Sequence, residues 1–217
     1  MRKIEALAQK IANKLAIQLD FDDEKKSVIA YGLIGMLQMV TLFILILALG
    51  MIFHFAYEAI IIFLSVGIIR KSAGGAHAKT MMSCNIMSVI TVILLSALSS
   101  YIAGVPLNFN LDLIFSVIVF AICFTIFYIR VPVDTPNKPI IKPEKVKRLR
   151  KQSLVILLVL TFISMIFMIL SKYNLRFYSI GISIRLAMLW QFFTLTKIGI
   201  YVIDKIDLLI YQVINKR

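Results

Sequence analysis

Several apolar stretches of roughly 18 or more residues constrain this chain most, because each is long enough to cross a hydrocarbon core of ~30 Å as a helix. A soluble fold could not hide them. The chain has 217 residues, of which 60% are hydrophobic and 16% charged, with a mean hydropathy of +0.92, well beyond the composition of a soluble domain. The expected class is an all-α polytopic membrane protein forming a single integral-membrane domain over residues 1–217. About six spans are expected, at 28–53, 56–69, 83–103, 111–129, 154–170 and 178–202. No basic region leads into a short apolar stretch at the start, so the first span is expected to act as its own insertion signal.

Residues 1–26 differ. Ile4, Leu7, Ala8, Ile11, Ala12, Leu15 and Leu19 recur at helical spacing opposite Lys3, Gln9, Lys10, Asn13 and Lys14. That pattern predicts an amphipathic helix lying at the membrane surface or over the ends of other helices. A charged break is expected from Asp20 to Lys26.

The formal net charge of +13 comes from 24 Lys and Arg against 11 Asp and Glu. The cations flank the spans, so they predict topology and attraction to anionic lipid and argue against a nucleic-acid partner. They cluster before the first span, around Arg70, Lys71 and Lys79, between Arg130 and Lys151, and in the tail at Lys205, Lys216 and Arg217. The alternate loops near residue 54 and at 104–110 carry none, and only Lys172 and Arg176 run against the pattern. The expected arrangement is a multi-pass cell-membrane protein with both termini and the 70–84 loop in the cytoplasm.

That loop gathers a nucleophile, a base, flexible backbone and positive charge: Arg70, Lys71, Gly74, Gly75, His77, Lys79 and Cys84. A free cysteine has a pKa near ~8.5, lowered by cations and by a helix amino terminus. Cys84 would have both if the third span starts near Ser83. His77 could take the thiol proton and return it to a leaving amine. A continuous helix would hold the two about 10.5 Å apart along its axis, so the segment between them must fold back. Gly74 and Gly75 supply that freedom, and their amides are candidate oxyanion donors. Ser72, Ser83 and Asn85 are candidate orienting partners for His77. Cys123, inside an apolar run, is expected to pack. No metal or other cofactor is implied: His54 falls on the opposite side, and there is no HExxH.

Four of the five prolines fall at Pro132, Pro136, Pro139 and Pro143. They predict a stiff extended segment leading into a basic helical stretch that runs on to Lys151. That loop, 130–151, is either a connector or a cationic wall for a peptide. Among intramembrane polar residues, Glu58 is expected to reach headgroups and Arg185 to snorkel outward. Lys197 and Asp204 could line a cavity.

Arg70, Gly74, Gly75, His77 and Cys84, with the stretch Asp134-Thr135-Pro136-Asn137-Lys138-Pro139, resemble the signature of the AgrB family, the accessory gene regulator protein B of Gram-positive quorum sensing. The resemblance covers nearly the whole chain. It implies a membrane cysteine endopeptidase that cleaves the carboxy-terminal part of a propeptide, AgrD, with Cys84 as nucleophile and His77 as base. Arg70, Lys71, Gly74, Gly75 and Lys79 would shape the loop or place substrate. Arg148, Arg150 and Lys151 would attract an acidic propeptide tail. A homodimer is left open: Gly32, Gly35, Ser96, Ser99 and Ser100 allow close helix contact. The competing readings are a small peptide transporter, which should spread polar residues through its spans, and a non-catalytic receptor or adaptor.

Overall fold

A computed structural model of the chain describes residues 2–76, 78, 80–133 and 142–215. His77, Lys79, the Asp134–Pro139 motif, Lys216 and Arg217 lie outside the described residues. Among the described residues eight helices follow one another: α1 (Arg2–Leu19), α2 (Asp23–Ile52), α3 (Ala56–Ala73), α4 (Met81–Ala103), α5 (Phe109–Arg130), α6 (Pro143–Leu170), α7 (Leu175–Leu195) and α8 (Lys197–Asn215). Among the described residues there is no β-strand.

Among the described residues four helices are long and apolar enough to cross a membrane, namely α2, α4, α5 and α6, and α7 with α8 makes a fifth if that pair counts as one bent span. The six expected spans therefore reduce to four or five by length and composition. The second expected span, α3, has only 18 residues and carries Glu58 at one end and Arg70 and Lys71 at the other. It packs against α2, α4, α6 and α7, so neighbouring helices share the shielding that a lipid-facing helix would need from its own side chains. The sixth expected span, 178–202, is interrupted. Thr196 ends α7, its hydroxyl donating to the Phe193 carbonyl at 2.8 Å and accepting from the Gly199 amide at 2.9 Å. A Cβ on Gly199 would stand 1.8 Å from the Phe193 oxygen, so the chain turns tightly there. The two helices meet at 86°.

At the start, the charged break is shorter than expected. Asp22 caps α2, its carboxylate accepting from the Lys25 amide at 2.8 Å, so Asp23 to Lys26 are already helical. α1 packs against α2. It buries Ala8, Ala12 and Ala16, while Leu7 and Leu19 from the expected apolar face stay exposed.

The bundle is organised around α7, which packs against α3, α4, α5, α6 and α8. One apolar cluster joins Ile69, Val119, Cys123, Phe127, Leu157, Ile184 and Met188. A second joins Ile46, Phe55, Ala59, Ile62, Val92 and Ala187. Cys123 packs in the first, its thiol donating to the Met188 carbonyl at 3.6 Å.

The interior also holds a polar seam along α7. Arg185 does not snorkel: it is 2% exposed. Its guanidinium donates to both carboxylate oxygens of Asp112 at 2.6 and 3.1 Å, to Ser116 at 2.9 Å and to the Gly181 carbonyl at 3.2 Å. Tyr178 donates to the same Asp112 at 3.3 Å. A bidentate partner on α5 satisfies the charge locally, which removes the reason to reach for water. Glu58 likewise turns inward and accepts from the Ser179 hydroxyl. Ser99 bonds the Ser179 carbonyl and Ser183 at 3.0 and 2.9 Å, so this small residue serves contact within the chain. Lys197 and Asp204 are exposed on α8, whereas Asp207 is buried.

Removing one partner of the buried pair strands the other charge. Asp112→Ala and Arg185→Ala are each expected to cost about 3–5 kcal/mol. The double variant should recover part of that loss. Thermal unfolding of the purified protein in detergent measures all three.

Candidate functional site

The loop between α3 and α4 is fixed at one end of the bundle by its backbone. Gly74 has φ of +72° and Gly75 of +124°, the region that favours glycine. Space imposes the same choice. A Cβ on Gly74 would stand 1.9 Å from the Val133 carbonyl oxygen, and one on Gly75 would stand 2.9 Å from Thr194 Oγ1. Gly74 and Val133 form an isolated parallel bridge. In it the Val133 amide donates to the Ala73 carbonyl at 2.9 Å and the Gly75 amide to the Val133 carbonyl at 3.4 Å. On the other side, the Ala76 amide donates to the Thr194 carbonyl at 3.1 Å. Gln191 Nε2 donates to the Gly74 carbonyl at 2.7 Å.

The proposed oxyanion role for the glycine amides does not fit this arrangement. The Gly74 amide donates to the Arg70 carbonyl at 3.0 Å and the Gly75 amide to Val133. Both hydrogens are used inside the protein. The glycines let three backbones meet.

Arg70 closes the loop from within. It stands in the last turn of α3, and its guanidinium donates to the Ala76 carbonyl. It also lies within electrostatic reach of the Cys84 sulfur. Cys84 itself sits in the first turns of α4, which starts at Met81, slightly earlier than expected from the sequence. Thr80 caps that helix: its hydroxyl oxygen accepts from the Ser83 amide at 3.1 Å, and its carbonyl accepts from the Cys84 amide at 3.0 Å. The thiol is free and half-buried. Neither α3 nor α4 extends across residues 74–80. The sulfur thus lies at the amino-terminal end of α4 with a guanidinium within electrostatic reach.

Each of the three suggested orienting partners has a hydrogen bond to another described residue. Ser72 donates to the Ile69 carbonyl at 3.3 Å and accepts from Ser153 at 3.0 Å. Ser83 accepts from the Thr80 hydroxyl at 2.9 Å. Asn85 accepts from Gln38. Lys71 is exposed. Of the basic residues at the start of α6, Arg150 is half-buried and donates through Nε to the Val131 carbonyl at 2.8 Å. Arg150 and Lys151, with Lys147, border a cavity of about 310 Å³ against α5, whereas Arg148 is exposed and stands outside its lining.

Gln191, Thr194, Val133 and Thr80 escaped the sequence analysis. Thr80 had a legible signal, since Thr-x-x-Ser immediately before an apolar run is a helix-start pattern. Gln191 and Thr194, three residues apart near the end of α7, share one face of that helix. Nothing local singles out Val133, whose role depends on a backbone bridge to a distant glycine.

These features define a multi-pass helical membrane protein with a backbone-pinned loop that delivers a cysteine at a helix amino terminus. Residues 8–195 match the family described as Accessory gene regulator B, and the chain belongs to that family. It is 34% identical over 207 residues to an AgrB-like protein of Clostridium perfringens (strain SM101 / Type A), covering 94% of this chain and 96% of the relative. It is 35% identical over 209 residues, with the same coverage, to AgrB-like protein 2 of Clostridium perfringens (strain 13 / Type A). To the accessory gene regulator protein B of Staphylococcus carnosus (strain TM300) it is 25% identical over 177 residues, 74% of this chain and 80% of that protein. No solved structure matches the chain. The family gives the protein a role in peptide processing for accessory-gene-regulator quorum sensing.

Gly74→Ala places a methyl group on the Val133 carbonyl and must break the bridge. The expected loss is at least about 2 kcal/mol, from strain at a positive φ plus the lost backbone bonds. Hydrogen exchange should show the Val133 amide losing protection in Gly74→Ala while amides in mid-α5 keep theirs.

Proposed function

We propose that this protein is a membrane-embedded cysteine endopeptidase that cuts the carboxy-terminal part from an AgrD-like propeptide on the cytoplasmic side. Cys84 is the nucleophile and His77 the general base and acid. The observation that carries this proposal is the setting of Cys84: a free, half-buried thiol in the opening turns of α4, within electrostatic reach of Arg70, after a loop whose backbone is bonded to Val133 and to Thr194.

The chemistry follows from the thiol. His77 takes the Cys84 proton, and the sulfur attacks a backbone carbonyl of the propeptide. The carbon–nitrogen bond then breaks, and the tail leaves as an amine carrying the proton from His77. The remaining acyl group is held as a thioester on Cys84. A cysteine of the propeptide attacks that thioester, its sulfur replaces the Cys84 sulfur, and a proton returns to Cys84. The product is a cyclic thiolactone. Amide to thioester is uphill and thioester to thiolactone nearly level, so water must be kept from the acyl intermediate. A nucleophile at the end of a bundle of apolar helices suits that demand better than a solvated cleft. Arg70 holds the Ala76 carbonyl, one residue before the base, and so acts as a positioning residue. The basic start of α6 supplies long-range attraction for an acidic tail through Arg148, which is exposed and stands outside the cavity bordered by Lys147, Arg150 and Lys151.

The placement of cations in the sequence supports a cytoplasmic site. Arg70, Arg130 and the basic start of α6 share the end of the bundle where the α3–α4 loop meets Val131 and Val133.

Co-expression with the cognate propeptide separates this proposal from its rivals. Cys84→Ser and His77→Ala should each leave the propeptide at full length, and Cys123→Ser should cut at close to the wild-type level. A transporter or an adaptor would tolerate Cys84→Ser, so a shortened propeptide with that variant would sink the protease assignment.

A further inference from the structure

The groove between α5 and α6 has two kinds of wall. Phe124, Leu154, Val155 and Leu158 form an apolar trough, and Lys147, Arg150 and Lys151 stand at its head. On α6, residues 147, 151, 154, 155 and 158 follow helical spacing and share one face. From Lys147 to Leu158 the helix rises about 16 Å, close to half the thickness of a ~30 Å hydrocarbon core. The trough opens outward: Val155 is 52% exposed and Leu158 57% exposed, on a helix apolar enough to span. In a bilayer those surfaces face acyl chains. None of the three cations forms an ion pair with a described carboxylate.

A cationic head over a one-leaflet apolar trough matches one chemical class. We propose that this groove binds a single anionic phospholipid, its phosphate on Lys147, Arg150 and Lys151 and an acyl chain along Phe124, Leu154, Val155 and Leu158. An acidic peptide would satisfy the charges and leave the trough to be filled by something else. The site is tied to the α3–α4 loop. Arg150 Nε holds the Val131 carbonyl at 2.8 Å, and two residues later Val133 bonds Ala73 and Gly75. A phosphate on the remaining guanidinium N–H groups would fix that contact in place. The proposal stands whether or not the protein cuts peptides, since it uses only the groove and its place in the bilayer.

The test uses the full chain in nanodiscs of phosphatidylcholine with or without phosphatidylglycerol, followed by mild delipidation and native mass spectrometry. Wild type should retain one phosphatidylglycerol and no phosphatidylcholine. A surface cation near anionic lipid is worth about fivefold in affinity, so Lys147→Gln with Lys151→Gln should weaken retention by about 25-fold. The same charge change at Lys10 and Lys14 on α1 should leave retention unchanged. Leu158→Trp fills the trough without touching the cations and should also lower retention, which guards against a misfolded double variant. Millimolar glycerol phosphate should not displace the lipid. Equal retention of both lipids by wild type, or undiminished retention in both groove variants, would overturn the site. So would displacement by glycerol phosphate, which would reduce it to a phosphate site. Binding of oligoglutamate that depends on Lys147 and Lys151, with no lipid retained, would give the groove to a peptide and also overturn the proposal.

Discussion

The loop bearing the candidate chemistry depends on one close backbone meeting. Gly74 and Gly75 lie against Val133 on one side and the last turn of α7 on the other, at distances that no side chain on either glycine would permit. This contact joins segments that are far apart in sequence: the end of α3, the start of the proline-bearing loop and the end of α7. It sets where the chain leaves α3, and therefore where it arrives at Thr80 to begin α4 with Cys84 in its opening turns. Backbone amide bonds of this kind contribute about 1 kcal/mol each. Their larger effect is geometric, since they hold the residues just before His77 to a narrow range of positions.

The same end of the bundle shows why α7 tolerates so many polar groups. Serine, arginine, glutamine and threonine are all buried along it, and most find partners on α3, α4, α5 or α6. A helix surrounded on all sides need not be apolar. Its polar seam fixes the rotation of the central helix, which in turn aims Gln191 and Thr194 at the loop. The buried Asp112–Arg185 pair belongs to that alignment.

Much of this was legible in the sequence. Apolar length identified the four helices that can span, and helical spacing identified α1. The break around Gly74 and Gly75 and the helix start close to Ser83 followed from residue chemistry. What the sequence could not show had a common cause. Hydropathy assumes that each span faces lipid, so it joins α7 and the first six residues of α8 into one span and makes surface groups of Arg185 and Glu58. Their partners, Asp112 and Ser179, lie 73 and 121 residues away, beyond any local pattern. Glycine chemistry alone predicts freedom for the chain, and the structure uses Gly74 and Gly75 for close approach.

The most direct measurement of the central claim is the intact mass of the protein captured with its propeptide. Rapid acid quenching should reveal an adduct on Cys84 equal to the propeptide's amino-terminal fragment, and neutral hydroxylamine should release it, as expected for a thioester. If the propeptide is shortened while Cys84 never carries an acyl group, the sulfur is not the nucleophile and the account fails.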